Sequence, residues 1–401
     1  MYTLQNTDAN SSARAGTLTI GQKELQTPFF MAVATKAALK ALTPEQAKEA
    51  GAQCIISNGF IMSLKPGVEI IKAHGGIHNF MNWHGGVFTD SGGFQVLLDE
   101  FFVKRSPEGI VFKNPFTGQK DLFNAEKSIK IQNDIGSDVA MAFDDVARYG
   151  FTKDEARSAM QHSHQWAHDS LKAHRENKNK TNPDQLIFGI CHGNTYADLR
   201  VESVNYMREL DFDGFAIGGV AIGESTNELY EAIDIQAPLL PEDKARYVMG
   251  LGSPIELLEA IGKGCDCFDS IFPAQSARRG TLFSRDGPVR IKSKNRRVIM
   301  EPIDKECQCY TCQNYTQSYI SLTIKTHEYL GYTLATIHNM HFLHDLMKDA
   351  RKAILENRFV EFKETFIARY MANEKPKDKD GGSYFQYAKK NELIQDGKKS
   401  K

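Results

Sequence analysis

The 401-residue chain lacks charge of one sign, since 49 Lys and Arg stand against 50 Asp and Glu and leave a net charge of −1. That balance excludes a global electrostatic footprint for nucleic acid, so any polyanion must be held by a local basic patch. It also lacks a long apolar run. No stretch approaches membrane-spanning length, and the polar start from Met1 to Gly16 holds no apolar leader. Cysteine is scarce and odd in number, seven in all, and Cys54, Cys191, Cys265 and Cys267 sit in apolar, strand-like contexts. A reducing, cytoplasmic setting with no membrane partner is expected. From Glu374 to Lys401 apolar residues become few, and a disordered polar tail is expected there.

The remaining three cysteines are concentrated in Cys307-Gln308-Cys309-Tyr310-Thr311-Cys312, with His338 following after 25 further residues. Soft thiolates and one imidazole satisfy a tetrahedral zinc ion completely, leaving no position for water, so one structural Zn2+ per chain is expected. His341 and His344 are alternative fourth ligands. His338 is preferred because it adjoins Asn339 in a segment able to fold back on the cysteine loop.

With 41% apolar residues the chain can bury a large core. Short β-prone runs recur at 29–33, 54–57, 87–89, 139–143, 186–190, 214–217, 246–250 and 266–271. Amphipathic segments lie between them, at 43–50, 125–134, 153–175, 197–210 and 255–263. Eight such alternations predict an α/β fold, a (β/α)8 TIM barrel spanning residues 1–373, with a zinc-binding subdomain of about 292–370 inserted after the last strand. In such a barrel the residues following each strand converge on one face: Asn58, Asp90, Asp144, His192, Gly218-Gly219, Met249-Gly250 and Asp269.

Three segments carry candidate chemistry. Thr89-Asp90-Ser91-Gly92-Gly93-Phe94-Gln95 sets an acid, a hydroxyl and a stacking ring beside glycines that allow close approach of a flat ligand, although the same string is ordinary turn vocabulary. Val139 to Asp145 ends in paired carboxylates, of which Asp145 is assigned to cap the next helix. Phe268-Asp269-Ser270-Ile271-Phe272 places an acid in an apolar run, either for chemistry or for a salt bridge with Arg278 or Arg279. From Arg278 to Arg297 eight cations face one acid, Asp286, and form the candidate polyanion patch.

The strings Asp90-Ser-Gly-Gly-Phe-Gln, Ala142-Phe-Asp144-Asp, Gly218-Gly-Val-Ala-Ile-Gly223-Glu224, Tyr247-Val-Met249-Gly and the cysteine cluster with His338-Asn339 occur in family order. In these the chain resembles the tRNA-guanine transglycosylases (queuine tRNA-ribosyltransferases) of the bacterial and eukaryotic-like catalytic type, from about residue 15 to residue 371. The resemblance implies exchange of guanine at the tRNA wobble position for a 7-deazaguanine base, queuine or 7-aminomethyl-7-deazaguanine, in queuosine modification. It implies a covalent aspartyl-ribose intermediate, with Asp269 as nucleophile and Asp90 as general acid/base. Asp144 would accept from the N–H edge of the base, Ser91, Gly219 and Val220 would line that edge, Phe94 and Met249 would sandwich the ring, and Asn58 would neighbour the nucleophile. A homodimer through the zinc subdomain and a tRNA with a G-U-N anticodon are the implied partners.

The chain departs from the family at several positions. His192 stands where a base-binding glutamine is usual, which offers one donor and one acceptor in its neutral form. Ala274-Gln275 replaces Thr-Arg, so Gln275, Arg278 and Arg279 become the tRNA-contacting candidates. Val146 and Ile222 leave the choice of incoming base open. A weak or silent tRNA-binding partner subunit, and base exchange on another polynucleotide, are the alternative functions.

Overall fold

The computed structural model describes residues 1–372, and for residues 178–181 the backbone alone. The polar tail expected from 374 to 401 lies outside the described residues. Eight parallel strands close into a barrel: β1 (Phe29–Val33), β2 (Cys54–Asn58), β3 (Gly86–Asp90), β4 (Val139–Met141), β5 (Leu186–Cys191), β6 (Gly214–Ile217), β7 (Ala245–Val248) and β8 (Cys267–Ser270). All eight sequence-predicted strands are present, two with the expected bounds and the others with ends shifted by one or two residues. Closure is complete because β8 pairs with β1, as in Asp269 opposite Met31, and β4 pairs with both β3 and β5.

The period of two along each strand divides two cores. Phe29, Met31, Cys54, Ile56, Phe88, Met141, Phe188 and Tyr247 fill the barrel interior. Their neighbours Phe30, Ala32, Ile55, Val87 and Ala140 face outward into a second core shared with the surrounding helices. Those helices include α1 (Pro44–Glu49), α2 (Gly59–Leu64), α3 (Ala125–Ile135), α4 (Lys153–Thr181), α5 (Ala197–Met207), α6 (Thr226–Gln236) and α7 (Pro254–Gly262). Capping boxes start α1 at Thr43 and α6 at Ser225, each with its side chain and its third helical residue bonding reciprocally.

Two antiparallel sheets were absent from the sequence expectation. Tyr2–Thr7, Arg14–Ile20 and Lys23–Thr27 close the amino-terminal end of the barrel, inserting Tyr2, Leu18, Ile20 and Leu25 into the interior core. Phe102–Ser106, Gly109–Lys113 and Lys120–Phe123 form a second sheet between β3 and α3.

After β8 come α8 (Phe272–Arg279), a short hairpin (Thr281–Leu282 with Val289–Arg290), α9 (Tyr310–Asn314), α10 (Gln317–Lys325), α11 (Tyr329–Leu355) and α12 (Phe359–Met371). The segment after β8 has its own small core, in which Ile303, Ile320, Ile324, Ala335 and Ile337 surround the cysteines. It is joined to the barrel through α11, which places Ala335 and Ile337 in that core and Leu343, Leu346 and Met347 against the barrel.

The closed end depends on a buried charge pair. Arg14 donates from Nε and Nη2 to Asp266, while Tyr2 and the Arg246 N–H donate to the same carboxylate. Asp266→Ala would leave Arg14 buried without its counter-charge, and is expected to cost about 3–5 kcal/mol of unfolding free energy. Urea denaturation of the two proteins checks this.

Candidate active site and metal-ligand cluster

Strand ends bring the predicted acids to one mouth. Asn58 and Asp90 face each other as register partners at the ends of β2 and β3. Asp269 lies in β8, and Asp144 follows β4. Asp90 feels the charges of both Asp269 and Asp144, and together with burial, the largest effect, they hold its pKa well above the usual carboxylate range. The Asn58 amide opposes this in part, yet its Nδ2 is buried with no acceptor in hydrogen-bond geometry among the described residues. Its Oδ1 is used to cap α2 by accepting from the Ile61 N–H.

Asp269 is supported on one oxygen. Tyr247 Oη donates to Oδ1 at 2.5 Å, and the Gly250 N–H donates to the same atom at 2.9 Å. These bonds favour the ionised form, but burial outweighs them and raises the pKa. Neither Arg278 nor Arg279 pairs with Asp269 among the described residues, so the salt-bridge alternative falls away.

Asp144 is held on both oxygens. Ser91 Oγ donates to Oδ1 at 2.9 Å, and His192 Nε2 lies 3.0 Å from Oδ2, where it donates when protonated. Two further lone-pair positions remain on this carboxylate, enough for a paired N–H edge. The turn after β3 has to be glycine: a Cβ on Gly93 would lie 2.3 Å from the Asp144 carbonyl oxygen, and Gly92 has φ +91°. Phe94 is exposed in the short helix that follows, and Met249, half-buried, follows β7. The Gly218-Gly219 turn abuts the His192 ring, and Val220 follows it, buried.

Asp145 is a correction. It lies fully buried between Arg105 Nε at 2.8 Å and His162 Nδ1 at 3.0 Å, and α4 begins only at Lys153, so it ties the second antiparallel sheet to the barrel and caps nothing. The sequence offered no sign of this because its partners come from an insertion and from a histidine 17 residues on, inside α4. Tyr247 was also given no role. A tyrosine in an apolar strand reads as core, and only the adjacency of β7 and β8 sets its hydroxyl on Asp269.

The tRNA-contacting candidates share α8, directly after the Asp269 strand. Gln275 and Arg278 are half-buried and Arg279 is exposed. One Arg278 terminal nitrogen, Nη1, is buried without a partner among the described residues. Within the basic run, Arg285 instead forms ion pairs with Asp304 and Glu306.

The four ligand atoms of Cys307, Cys309, Cys312 and His338 all lie within 4.8 Å of one another, and all four residues are buried. His338 Nε2 is 2.6 Å from the Phe283 carbonyl oxygen, to which it donates, leaving Nδ1 turned to the sulfurs at 3.3 to 3.7 Å. That fixed tautomer is the outer support expected of a metal-binding imidazole. The alternatives are engaged elsewhere: His341 with Asp345, and His344 in the core beside Phe30, where burial lowers its pKa to about 3. The group can hold one metal ion.

The family profile described as queuine tRNA-ribosyltransferase matches residues 8–372. The chain belongs to this family. Relatives bearing that name include one from Vibrio cholerae serotype O1 (strain M66-2), 43% identical over 371 residues, covering 92% of this chain and 97% of the relative. One from Francisella tularensis subsp. novicida (strain U112) is 43% identical over 358 residues, covering 89% and 96%, and one from Vibrio vulnificus (strain YJ016) 43% over 360 residues, covering 90% and 94%. Within this queuine tRNA-ribosyltransferase fold, no helix among the described residues is long and apolar enough to cross a membrane.

Two outcomes are expected. Cys309→Ser should lose bound metal by elemental analysis and melt roughly 5 °C or more below wild type. Asp90→Asn should melt higher than wild type at neutral pH. The folded state raises the Asp90 pKa, so its ionisation costs stability as pH climbs from the unfolded value of about 3.9. The gain should fade when melting is followed down to acid pH, where wild-type Asp90 is protonated in both states.

Proposed function

We propose that this chain is a pentosyltransferase that exchanges guanine in tRNA, at the anticodon wobble position, for a 7-deazaguanine base in queuosine modification. The observation that carries the proposal is the meeting of Asp90, Asp144 and Asp269 at one barrel mouth, in a chain of this family.

Tyr247 and Gly250 occupy Oδ1 of Asp269, so Oδ2 is the attacking atom. It forms a bond to the ribose C1′ as the bond from C1′ to guanine N9 breaks, and Asp90 gives its raised-pKa proton to the departing base. The RNA chain is then an ester of Asp269. The incoming base loses a proton to Asp90, attacks C1′ through N9 and releases the Asp269 carboxylate. Asp144, braced by Ser91 and His192, accepts the N–H edge of either base, while Phe94 and Met249 cover its faces. Gln275, Arg278 and Arg279 on α8 meet the anticodon loop, and the unpartnered Arg278 nitrogen suits a phosphate.

The buried three-cysteine, one-histidine set suits a structural Zn2+, one per chain, that holds the segment after β8 in place. That segment exposes Tyr310, Tyr319, Leu322, Tyr329 and Leu330, an apolar surface that a second copy would cover in a homodimer. The cytoplasm is the compartment of its tRNA substrate.

The test is incorporation of radiolabelled guanine into unmodified tRNA with a G-U-N anticodon, with queuine and 7-aminomethyl-7-deazaguanine as competitors. Incorporation is expected, and the stronger competitor names the incoming base; no incorporation by folded, zinc-loaded protein would overturn the proposal. Asp269→Asn should abolish covalent trapping of tRNA on denaturing gels while retaining zinc, and Tyr247→Phe should lower kcat by about tenfold or more by removing one of the two Oδ1 donors.

A further inference from the structure

Arg200 on α5 is only 1% exposed, yet all its hydrogen bonds go to neutral oxygens. Nε donates to the Asn194 carbonyl at 2.7 Å, Nη1 to the Gly218 carbonyl at 2.7 Å and to Gln236 Oε1 at 3.0 Å, and Nη2 to the Gly219 carbonyl at 2.9 Å. Burial lowers its pKa to about 10, with the Glu224 charge opposing. Gln236, fully buried at the end of α6, donates in turn to the carbonyls of His192 and Arg200 at 3.1 Å. A buried cation is costly, and neutral donors could have bridged two loops more cheaply.

What the guanidinium adds is orientation. A trans peptide group carries its C=O and N–H on opposite sides, and the cis bonds among the described residues are those before Pro28 and Pro66. With the Gly218 and Gly219 oxygens drawn onto Arg200, the N–H groups of Gly219 and Val220 point the other way. Neighbouring N–H groups are satisfied: Gly218 bonds the Cys191 carbonyl, and Ala221 and Ile222 bond Glu224. No acceptor for the Gly219 or Val220 N–H is present among the described residues. The same turn lies against the His192 ring, 3.2 Å from a Cβ built on Gly219, and that ring is bonded to Asp144. Two free donors thus adjoin an acceptor carboxylate, which complements a lactam edge, a ring carbonyl beside a ring N–H.

We propose that Arg200 is a positioning residue for base binding, holding the Gly218 and Gly219 carbonyls so that the Gly219 and Val220 N–H groups receive the carbonyl oxygen of the base whose N–H edge Asp144 accepts. The proposal rests on the base-edge role of Asp144, Gly219 and Val220.

Steady-state exchange by the full-length, zinc-loaded protein tests it, using guanine and 6-thioguanine, which keeps the N–H edge but replaces the oxygen by a weak acceptor. Wild type should prefer guanine. Arg200→Lys should raise KM for guanine about tenfold, leave KM for tRNA within about twofold, and shrink the preference over 6-thioguanine. An unchanged guanine KM, or equal losses for both bases, would overturn it. If Arg200→Lys does not fold, Gln236→Glu, which leaves the guanidinium in place but draws its N–H groups away from the carbonyls, should shrink the preference likewise, and an unaltered preference there overturns the proposal. Wild-type protein that exchanges no guanine would instead defeat the base-edge role itself.

Discussion

Three carboxylates in one barrel mouth, Asp144 buried and Asp90 and Asp269 half-buried, are the constraint around which the site is arranged. Like charges in a low-dielectric pocket cannot all ionise cheaply, so each acid needs a different answer. Asp269 has a tyrosine hydroxyl and a peptide N–H on one oxygen. Asp144 has a serine and a histidine, one on each oxygen. Asp90 has the weakest support, an asparagine amide out of hydrogen-bond geometry, and it is the acid whose pKa the other two push up. The three acids therefore differ in how well their charged forms are solvated, the difference on which the proposed division of roles rests.

The supports come from elements remote in sequence, which ties the site to the whole barrel. His192 and Gly218 follow β5 and β6, and Arg200 with Gln236 fastens their turns from the helices behind. The metal-ligand cluster reaches the site through α11. His338 bonds the Phe283 carbonyl, and its neighbour Asn339 accepts from the Phe283 N–H and donates to the carbonyls of Pro273 and Thr281. Both ends of α8, which follows the Asp269 strand, are thereby fixed to the helix that carries the fourth ligand. A metal ion held there would steady the helix that follows the Asp269 strand.

The barrel was legible because its signals are local. Short apolar runs separated by amphipathic ones repeat eight times, and burial on both faces makes each run continuous rather than alternating. The two antiparallel sheets were not legible: Lys120–Phe123 is short and partly exposed, and Arg14–Ile20, although long and buried, carries Arg14, Thr17 and Thr19 among its apolar residues, so neither gives a continuous apolar run. Asp145 was misassigned for a related reason. An acid before a helix suggests a cap, and only the insertion folding over the barrel brings Arg105 to it.

By itself the sequence determined the eightfold alternation, the cysteine cluster and the acids at strand ends, since each depends on residue type and spacing along the chain. Tertiary structure alone decided which histidine joins the cysteines, which oxygen of Asp269 stays free, that Tyr247 bonds Asp269 and that Arg200 holds the Gly218 and Gly219 carbonyls. Those outcomes depend on hydrogen bonds between elements tens of residues apart, whose direction is set by strand register and helix packing and leaves no trace in local composition.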